Sequence, residues 1–290
     1  MKKFEVKSLY DEATATLTYV VFDKQTRDAI VIDPVLDYDP ASSKVSTESL
    51  DKLEALVKGE ELKLHYCLET HAHADHLSGA QELKKRFPHV KLAIGEKITE
   101  VQGVFKKIYN LPEKFLPNGA QFDRLLKEGE RLQIGSLDVE VLFTPGHTPA
   151  CASYLIGDAV FTGDALFMPD TGTGRCDFPS GSSERLYQSV TGKLYKLPDS
   201  TRVFVGHDYK GNGTRDAKWE STIGEEKAAN IQLKASTPRD AYVKMRDERD
   251  AGLAAPRLLL PSLQVNIDGG RLPEAEENGV SYLKIPIRKK

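Results

Sequence analysis

The chain has 290 residues, of which 40% are hydrophobic and 29% charged, and its formal net charge is −3. A chain of this length can bury a large core, and this composition is ordinary for a globular protein. Lys and Arg are spread along the sequence rather than clustered, and the sequence has no basic tail. These features exclude nucleic acid as an expected partner, because its recognition depends on concentrated positive charge.

The sequence also lacks the features of a secreted or membrane protein. Residues 1–10 are too charged for a signal peptide, and no apolar run reaches the length of about 18 residues typical of a membrane-spanning helix. Three cysteines without CxxC spacing fit a reducing compartment better than a disulfide framework. We therefore expect a cytoplasmic protein in which Cys67 and Cys151 are small buried residues, whereas Cys176 lies in a polar loop and is left unassigned.

Strands and helices alternate in the first part of the chain. Short β-branched runs predict strands, and apolar spacing at helical period predicts helices. The predicted strands are residues 16–22, 29–32, 62–68 and 91–94. The predicted helices are residues 47–58 and 80–87, and the segment of residues 98–108 continues the alternation without an assigned type. Residues 36–49 form a polar insertion, which predicts a surface loop.

The middle of the chain predicts an antiparallel meander, because strands follow one another across tight Gly and Asp turns. These strands are residues 132–134, 137–143, 153–156 and 159–162, and a helix at 182–194 and a strand at 203–205 come next. Helical patterns at 220–235 and 238–251 then precede a Pro-rich, irregular tail. We predict an α/β catalytic domain over residues 1–212 with a C-terminal helical and irregular extension packed on it over residues 213–290.

The strongest functional signal is the segment of residues 70–76, which reads THAHADH and joins an apolar strand to a helix. His71 and His73 are two apart in extended backbone and can point the same way, while Asp75 and His76 reach a neighbouring position. A single histidine in such a run is more often an ordinary polar residue than a ligand. Several potential ligands in one loop reverse that judgement and predict a site for one or two metal ions.

Three distant residues complete this set of candidate ligands. His147 ends the motif TPGH, in which Pro145 fixes φ and Gly146 permits an unusual φ, so that the turn aims one imidazole. Asp164 stands at the end of a strand, where a carboxylate can complete one metal site or bridge two. The alternative for Asp164 is a turn-forming aspartate, which is common. His207, in the motif GHD, is the last candidate.

In this order, the motifs THxHxDH, PGHT, GD and GH resemble the metallo-β-lactamase superfamily. The resemblance covers residues 4–209 and implies a four-layer αβ/βα sandwich with the metal at one edge. Thioester hydrolases, lactonases, nucleases, β-lactamases and sulfur-oxidising dioxygenases share this fold, so the fold alone does not decide the reaction.

Narrower motifs resemble the persulfide dioxygenase branch. They are GDALF at residues 163–167, GRCDF at 174–178 and GHDY at 206–209. The segments 33–40 and 261–266 further resemble a bacterial subgroup often labelled β-lactamase hydrolase-like. Some relatives carry a fused rhodanese module that this sequence lacks, so a separate sulfurtransferase is expected to supply substrate.

The resemblance implies one Fe(II) per chain, with His71, His147 and Asp164 as its ligands. Two histidines and one carboxylate on one face leave coordination positions open, which suits Fe(II) and O₂ chemistry. The remaining donors would orient these ligands by hydrogen bonds or hold a second metal ion, and they are His73, Asp75, His76 and His207. The number of donors alone favours two metals, and Zn(II) can also occupy an iron site.

The resemblance also implies substrate contacts for two residues. Arg175 would bind a glutathione carboxylate or the persulfide itself, and a loop ion pair with Asp177 is an equal alternative. Tyr209 would donate a hydrogen bond to bound sulfur or oxygen, and packing is its alternative. Trp219 and the C-terminal helices are assigned either to one side of the pocket or to a homodimer contact.

The expected function is that of an Fe(II)-dependent persulfide dioxygenase, which oxidises glutathione persulfide with O₂ to sulfite and glutathione in sulfide detoxification. The first alternative is a dinuclear zinc hydrolase of glutathione thioesters, similar to glyoxalase II, in which Asp164 bridges the ions and a metal-bound hydroxide attacks. The GRCDF loop favours the dioxygenase over this hydrolase. The second alternative is a non-catalytic metal or persulfide sensor, against which the complete ligand set argues.

Overall fold

The computed structural model describes residues 4–287, except for the side chain of Asn212. In chain order the strands are β1 (Phe4–Asp11), β2 (Thr16–Asp23), β3 (Asp28–Ile32), β4 (Val35–Asp39), β5 (Lys44–Ser46), β6 (Lys63–Glu69), β7 (Leu77–Ser78), β8 (Lys91–Gly95), β9 (Arg124–Leu126), β10 (Arg131–Ile134), β11 (Leu137–Phe143), β12 (Ala152–Ile156), β13 (Ala159–Gly163), β14 (Arg202–Val205) and β15 (Glu220–Thr222). The α-helices are α1 (Glu48–Gly59), α2 (Ala80–Arg86), α3 (Ile98–Ile108), α4 (Ser183–Gly192), α5 (Lys210–Gly213), α6 (Ile223–Ala229), α7 (Arg239–Ala251) and α8 (Leu259–Asn266).

The strands form two large sheets. The first has the order β1-β2-β3-β6-β8-β9, and its strands β3, β6, β8 and β9 pair in parallel because a helix crosses over between each consecutive pair. The second has the order β10-β11-β12-β13-β14-β15 and is antiparallel except at the β13–β14 pair. Strands β10 to β13 form the predicted meander.

Alternation along β2 shows how the layers stack. Tyr19 and Val21 face the core between the two sheets, whereas Val20 and Phe22 face a second core that includes residues of α1, α2 and α3. On the far side of the second sheet, Leu186 of α4 and other helical residues extend the first core. The order helices, sheet, sheet, helices confirms the predicted four-layer αβ/βα sandwich.

The predicted loop at residues 36–49 is wrong. Val35 and Leu36 are buried and pair with β7, and the chain continues as the β4–β5 hairpin. Its outer residues are polar because this short hairpin faces solvent, so the sequence pattern resembles a loop.

Two C-terminal predictions also need correction. Residues 220–222 start a predicted helix but form β15, because pairing with β14 overrides a weak helical pattern. The tail contains α8, whose Leu263 and Val265 are fully buried. Pro261 made this segment look irregular, yet it lies in the first helical turn, where a missing N–H costs little. Helix α7 matches its prediction.

The C-terminal extension contributes to both halves of the sandwich. Strand β15 forms the edge of the second sheet, α7 packs against α4, and α8 packs against β7. The proposed boundary at residue 212 stays a prediction. Among residues 4–287, no helix is long and apolar enough to cross a membrane. Cys67 and Cys151 are buried as predicted, and Cys176, for which the sequence makes no prediction, is also buried; all three are free thiols.

Candidate metal centre

The candidate ligands meet at one edge of the sandwich because each follows the end of a strand. Residues 70–76 follow β6, His147 follows β11, Asp164 follows β13 and His207 follows β14. Strands β11, β13 and β14 run in the same direction, since β12 lies antiparallel between the first two and β14 is parallel to β13. Residues separated by more than a hundred positions therefore share one site.

Glycines set the turns that aim two of these ligands. Gly146 has φ of 152°, and a Cβ there would lie 2.3 Å from Cβ of Leu186 in α4. Gly163 has φ of 49°, and a Cβ there would lie 2.6 Å from Oγ1 of Thr70. Because only glycine tolerates these positions without a shift of the neighbours, the turns before His147 and Asp164 are fixed by sequence.

The first donor group consists of His71, His147 and Asp164, which offer ligand atoms within 4.8 Å of one another. The distances to Asp164 Oδ2 are 4.0 Å from His71 Nε2 and 3.6 Å from His147 Nε2. All three side chains are buried. The structure thus brings together the three residues that sequence analysis assigned to iron.

The second donor group consists of His73, Asp75, His76 and His207, again within 4.8 Å of one another. Asp75 Oδ2 lies 3.1 Å from His207 Nε2. Asp164 faces this group as well, because its Oδ1 lies 3.4 Å from His207 Nε2. One carboxylate therefore stands between two sets of donors.

Buried atoms without hydrogen bonds test whether a metal fits here. Within the described part of the chain, most of the buried side-chain atoms that lack a hydrogen-bond partner belong to these two groups: His71 Nε2, His73 Nδ1, Asp75 Oδ2, His76 Nε2, Asp164 Oδ1 and His207 Nε2. An unsatisfied buried polar atom costs about 1–3 kcal/mol, so such a concentration is uncommon in a folded protein. Imidazole nitrogens and carboxylate oxygens are ligands for divalent metals, and a bound cation would satisfy them.

Hydrogen bonds at the other ring nitrogens fix the imidazoles. His147 Nδ1 lies 2.7 Å from the carbonyl oxygen of Arg175, and His71 Nδ1 lies 3.0 Å from Oγ1 of Thr70. Thr16 Oγ1 lies between the second-group rings, 3.3 Å from His76 Nδ1 and 3.4 Å from His207 Nδ1. Such contacts orient metal ligands in proteins.

His73 is held by two buried carboxylates that sequence analysis did not assign. Its Nε2 lies 3.1 Å from Asp33 Oδ1 and 3.2 Å from Glu69 Oε2. Burial raises the pKa of Glu69 to about 7. Burial alone would lower the pKa of His73, but Asp33 and Glu69 together raise it well above its ordinary value. The only features of the sequence that could have pointed to these two residues are their positions: Asp33 is the first residue of the subgroup motif at 33–40, and Glu69 directly precedes the ligand loop.

The neighbouring rings are held neutral. Burial, reinforced by His73 and His147, keeps the pKa of His71 well below its ordinary value. Burial and His73 likewise lower the pKa of His76. Neutral imidazole is the form that binds a metal, so both rings are ready to act as ligands.

Asn266, near the end of the chain, also supports the ligand loop. Its Nδ2 donates to the carbonyl oxygens of His73 and His76, both at 2.8 Å, and its Oδ1 accepts from the amide of Ser78 at 2.8 Å. The motif at 261–266 carried the subgroup resemblance, but its sequence gave no indication of this contact. Helix α8 thus braces the metal loop from the C-terminal extension.

A cavity of about 540 Å³ lies beside the first donor group and is lined by Arg175 and Tyr209 as well as by His147 and Asp164. Arg175 forms the ion pair with Asp177 that is the predicted alternative to a substrate contact, with Nε 2.5 Å from Oδ1 and Nη2 2.6 Å from Oδ2. Tyr209 stacks on His207 with a centroid distance of 6.0 Å. Substrate contacts by Arg175 and Tyr209 stay predictions.

Residues 12–207 match the sequence model of the Metallo-beta-lactamase superfamily. The chain belongs to this superfamily. Its relatives include Glyoxylase B2 of Dictyostelium discoideum, which is 49% identical over 286 residues that cover 98% of this chain and 97% of that protein. They also include the mitochondrial persulfide dioxygenase ETHE1 of Bos taurus, 32% identical over 245 residues that cover 84% of this chain and 80% of that protein.

Comparison with a solved structure leads to the same family. The crystal structure of ETHE1 from Myxococcus xanthus superposes with a TM-score of 0.74 at 32% identity, and the match covers 92% of this chain and 100% of that one. The predicted superfamily, its fold and the resemblance to persulfide dioxygenases are thereby confirmed. Similar proteins carry both hydrolase-type and dioxygenase names, so these similarities do not decide the reaction.

Proposed function

We propose that the protein is an Fe(II)-dependent persulfide dioxygenase that oxidises glutathione persulfide to sulfite and glutathione in sulfide detoxification. The observation that carries this proposal is the composition of the first donor group, two histidines and one carboxylate converging on one buried point. This ligand set is the one that non-haem Fe(II) oxygenases use. The similarity to ETHE1 proteins supports the same reaction.

The reaction balances with one persulfide, one O₂ and one water as reactants. Four electrons leave the terminal sulfur and reduce O₂, and the products are a thiolate, sulfite and two protons. Held by His71, His147 and Asp164, Fe(II) would supply the electron-transfer chemistry that O₂ requires. The chain itself has to hold the ligands, position the persulfide and limit access of water.

Separate parts of the chain fix the metal ligands and form the wall of the cavity. The carbonyl of Arg175 and the hydroxyl of Thr70 fix the rings of His147 and His71 from behind, so that their Nε2 atoms face the same point. Phe167 and Tyr209 form a perpendicular aromatic pair on the cavity wall, with centroids 6.1 Å apart. We expect this pair to shield the reacting sulfur from bulk water, with the Tyr209 hydroxyl as a hydrogen-bond donor to it.

A second candidate function is hydrolysis of a glutathione thioester by two metal ions. Two observations favour it: the second donor group supplies four more ligands, and Asp164 turns one oxygen to each group. A bridging carboxylate is suited to a two-metal hydrolase. The similarity to Glyoxylase B2 supports this candidate too.

The supply of substrate and the cellular location are part of the same proposal. A separate sulfurtransferase of the rhodanese type would transfer the sulfane sulfur to glutathione. The three free cysteines fit a reducing compartment, and we place the reaction in the cytoplasm.

Oxygen consumption decides between the two candidates. Full-length protein is loaded anaerobically with Fe(II), metals are quantified, and glutathione persulfide is added while O₂ and sulfite are followed. Rapid uptake with one sulfite per O₂ supports the dioxygenase. Absence of uptake at full iron loading, together with cleavage of S-lactoylglutathione by a zinc-loaded sample, replaces it with the hydrolase.

A further inference from the structure

We propose that Arg249 and Arg257 form an anion-binding site at the rim of the cavity beside the metal centre, where they bind the carboxylates of a thiol-carrying substrate. This inference rests on the proposed function for the identity of the reacting group. It adds the residues that recognise the carrier of the reacting sulfur, which is a small acidic thiol with free carboxylates.

The arginines that line the cavity differ in their pairing with carboxylates. Four of them line the cavity: Arg175, Arg246, Arg249 and Arg257. Arg175 is neutralised by Asp177, and the buried Arg246 is neutralised by Asp250, whose Oδ1 accepts from its Nε at 3.0 Å. These two guanidinium groups already have carboxylate partners.

Arg249 and Arg257 are more exposed than these two arginines and have no carboxylate partner among residues 4–287. Each is exposed, and within residues 4–287 neither side chain forms a hydrogen bond or an ion pair. Asp39 is near enough to Arg257 for an electrostatic attraction but forms no hydrogen bond with it. The carboxylate of Asp39 instead accepts hydrogen bonds from Ser42 and from the amide of Ala41. The rim of the cavity therefore carries two positive charges without a bonded partner.

The acidic residues of the cavity do not cancel this charge. Asp75 and Asp164 belong to the donor groups and would be neutralised by metal. Asp170 is bound by Arg215, with Nε 2.6 Å from Oδ2. A ligand in this cavity thus meets metal donors at the buried end and free guanidinium groups at the exposed end.

This arrangement fits a particular kind of ligand. A guanidinium binds a carboxylate through two parallel hydrogen bonds, which gives specificity as well as attraction. The cavity volume of about 540 Å³ lies within the range of small-molecule sites, roughly 300–1,000 Å³. The exposed Leu253, which also lines the cavity, lies between the two arginines in sequence and offers apolar contact. A peptide-like thiol with terminal carboxylates satisfies all three features.

Both arginines lie outside residues 12–207, the part that matches the superfamily. Arg249 stands in the last turn of α7, and Arg257 precedes α8. The selection of the carrier would therefore reside in the C-terminal extension, whereas the metal chemistry resides in the sandwich.

Binding of a non-reacting analogue tests this site without turnover. S-methylglutathione and its dimethyl ester are titrated calorimetrically into metal-loaded, full-length protein. The variants are Arg249→Gln, Arg257→Gln and the double variant. The control is Arg185→Gln of α4, an exposed arginine outside the cavity that forms no ion pair with the other described residues. We expect about fivefold weaker binding of the acid for each single variant and about 20-fold for the double variant, typical of exposed ion pairs.

The ester and the lysine variants separate a carboxylate site from a structural role. The ester should bind wild type and double variant equally, and Arg249→Lys with Arg257→Lys should recover most of the affinity. Equal losses for acid and ester, or acid affinity unchanged in the double variant, would overturn the site.

The turnover assay keeps this result apart from the proposed function. If glutathione persulfide is oxidised, the double variant should raise KM with little change in kcat. If no O₂ is consumed but the acid still binds through both arginines, the dioxygenase fails and the carboxylate site stands. Turnover with an unchanged KM in the double variant would overturn the site and leave the dioxygenase intact.

Discussion

His147 donates a hydrogen bond from Nδ1 to the backbone carbonyl oxygen of Arg175 over 2.7 Å. A carbonyl can only accept, so Nδ1 carries the proton and Nε2 is the ring atom that is left to bind a metal. The loop that supplies this carbonyl is held by α7, because Asp250 accepts from the amide of Cys176 at 2.7 Å and Arg246 donates to the carbonyl of Thr173 at 3.3 Å. A helix of the C-terminal extension thus positions a ligand of the sandwich.

Asp250→Ala is expected to destabilise the protein by about 3–5 kcal/mol, because it leaves the buried guanidinium of Arg246 without its carboxylate. Urea unfolding followed by circular dichroism measures the loss. Glu248→Ala is the matched control, since the exposed pair of Lys244 and Glu248 on the same helix spans 3.9 Å and contributes about 0–1 kcal/mol. Equal losses in both variants would contradict the role given to the buried pair.

The number of metal ions can be read from two histidine variants. His147→Ala should remove iron and abolish oxygen uptake, because it removes one of the three proposed ligands. His76→Ala should keep about one iron per chain if the first donor group alone holds the metal. Elemental analysis of both variants checks this. Full iron in His147→Ala would sink the ligand assignment, and loss of one of two metals in His76→Ala would favour the dinuclear hydrolase.

Asn266→Ala should weaken the ligand loop without touching a ligand. The variant loses three hydrogen bonds to residues 73–78, each of which contributes about 0.5–1.5 kcal/mol. We expect a loss of about 2–4 kcal/mol in unfolding free energy and about 10–100-fold lower metal affinity, as for other groups that orient ligands. Gln264→Ala, two residues away in α8, is the control because its bonds are to Leu260 and Lys284. Unchanged metal affinity in Asn266→Ala would refute the bracing role.

Arg175→Ala should weaken substrate use while the metal stays in place. His147 bonds the backbone of Arg175 rather than its guanidinium, so the alanine variant keeps that hydrogen bond. Steady-state kinetics should show a higher KM for glutathione persulfide, and elemental analysis should show unchanged iron. Loss of iron would instead mean that the ion pair with Asp177 is needed to shape the loop.

The ligands were predictable because their signals are local. His71, His73 and His147 lie in short motifs whose turns are set by neighbouring residues, and strand ends bring such turns together. The supporting contacts were not predictable for the opposite reason. Asn266 and Ser78 are 188 positions apart, and a single sequence contains no mark of such a pair. The pairing of Arg175 with Asp177 was foreseen only as one of two alternatives.

In the fold, too, the elements with a clear local sequence pattern were predictable, and those that depend on tertiary contacts were not. The buried strands and α7 follow periodicity, so the predictions hold there. Strand β15 exists because β14 offers a free edge, and α8 is stabilised by burial of Leu263 against a distant core. In both segments tertiary contacts outweigh local propensity.

Glu226 of α6 is a buried carboxyl group whose hydrogen-bond partners, Ser221 and Asn230, are neutral. Its Oε2 accepts from Asn230 Nδ2 at 2.9 Å, and its Oε1 accepts from Ser221 Oγ at 2.5 Å. Burial raises its pKa from the ordinary 4.5 to about 7. Between these values the folded chain keeps a proton that the unfolded chain has lost, so stability falls as pH rises through this window and levels off above it.

Glu226→Gln should remove this pH dependence, because a glutamine does not ionise; its oxygen can accept from Asn230 Nδ2 while its amide nitrogen donates to Ser221 Oγ. Each pKa unit corresponds to about 1.4 kcal/mol, so we expect the variant to exceed wild type by about 1–3 kcal/mol at pH 8 and by less than about 1 kcal/mol at pH 5. Urea unfolding at both pH values measures the two differences. Glu277→Gln, at an exposed position of the C-terminal tail, is the control and should change stability by less than about 0.5 kcal/mol at either pH. A gain for Glu226→Gln that is the same at pH 5 and pH 8 would show that the carboxyl group stays ionised in the folded chain.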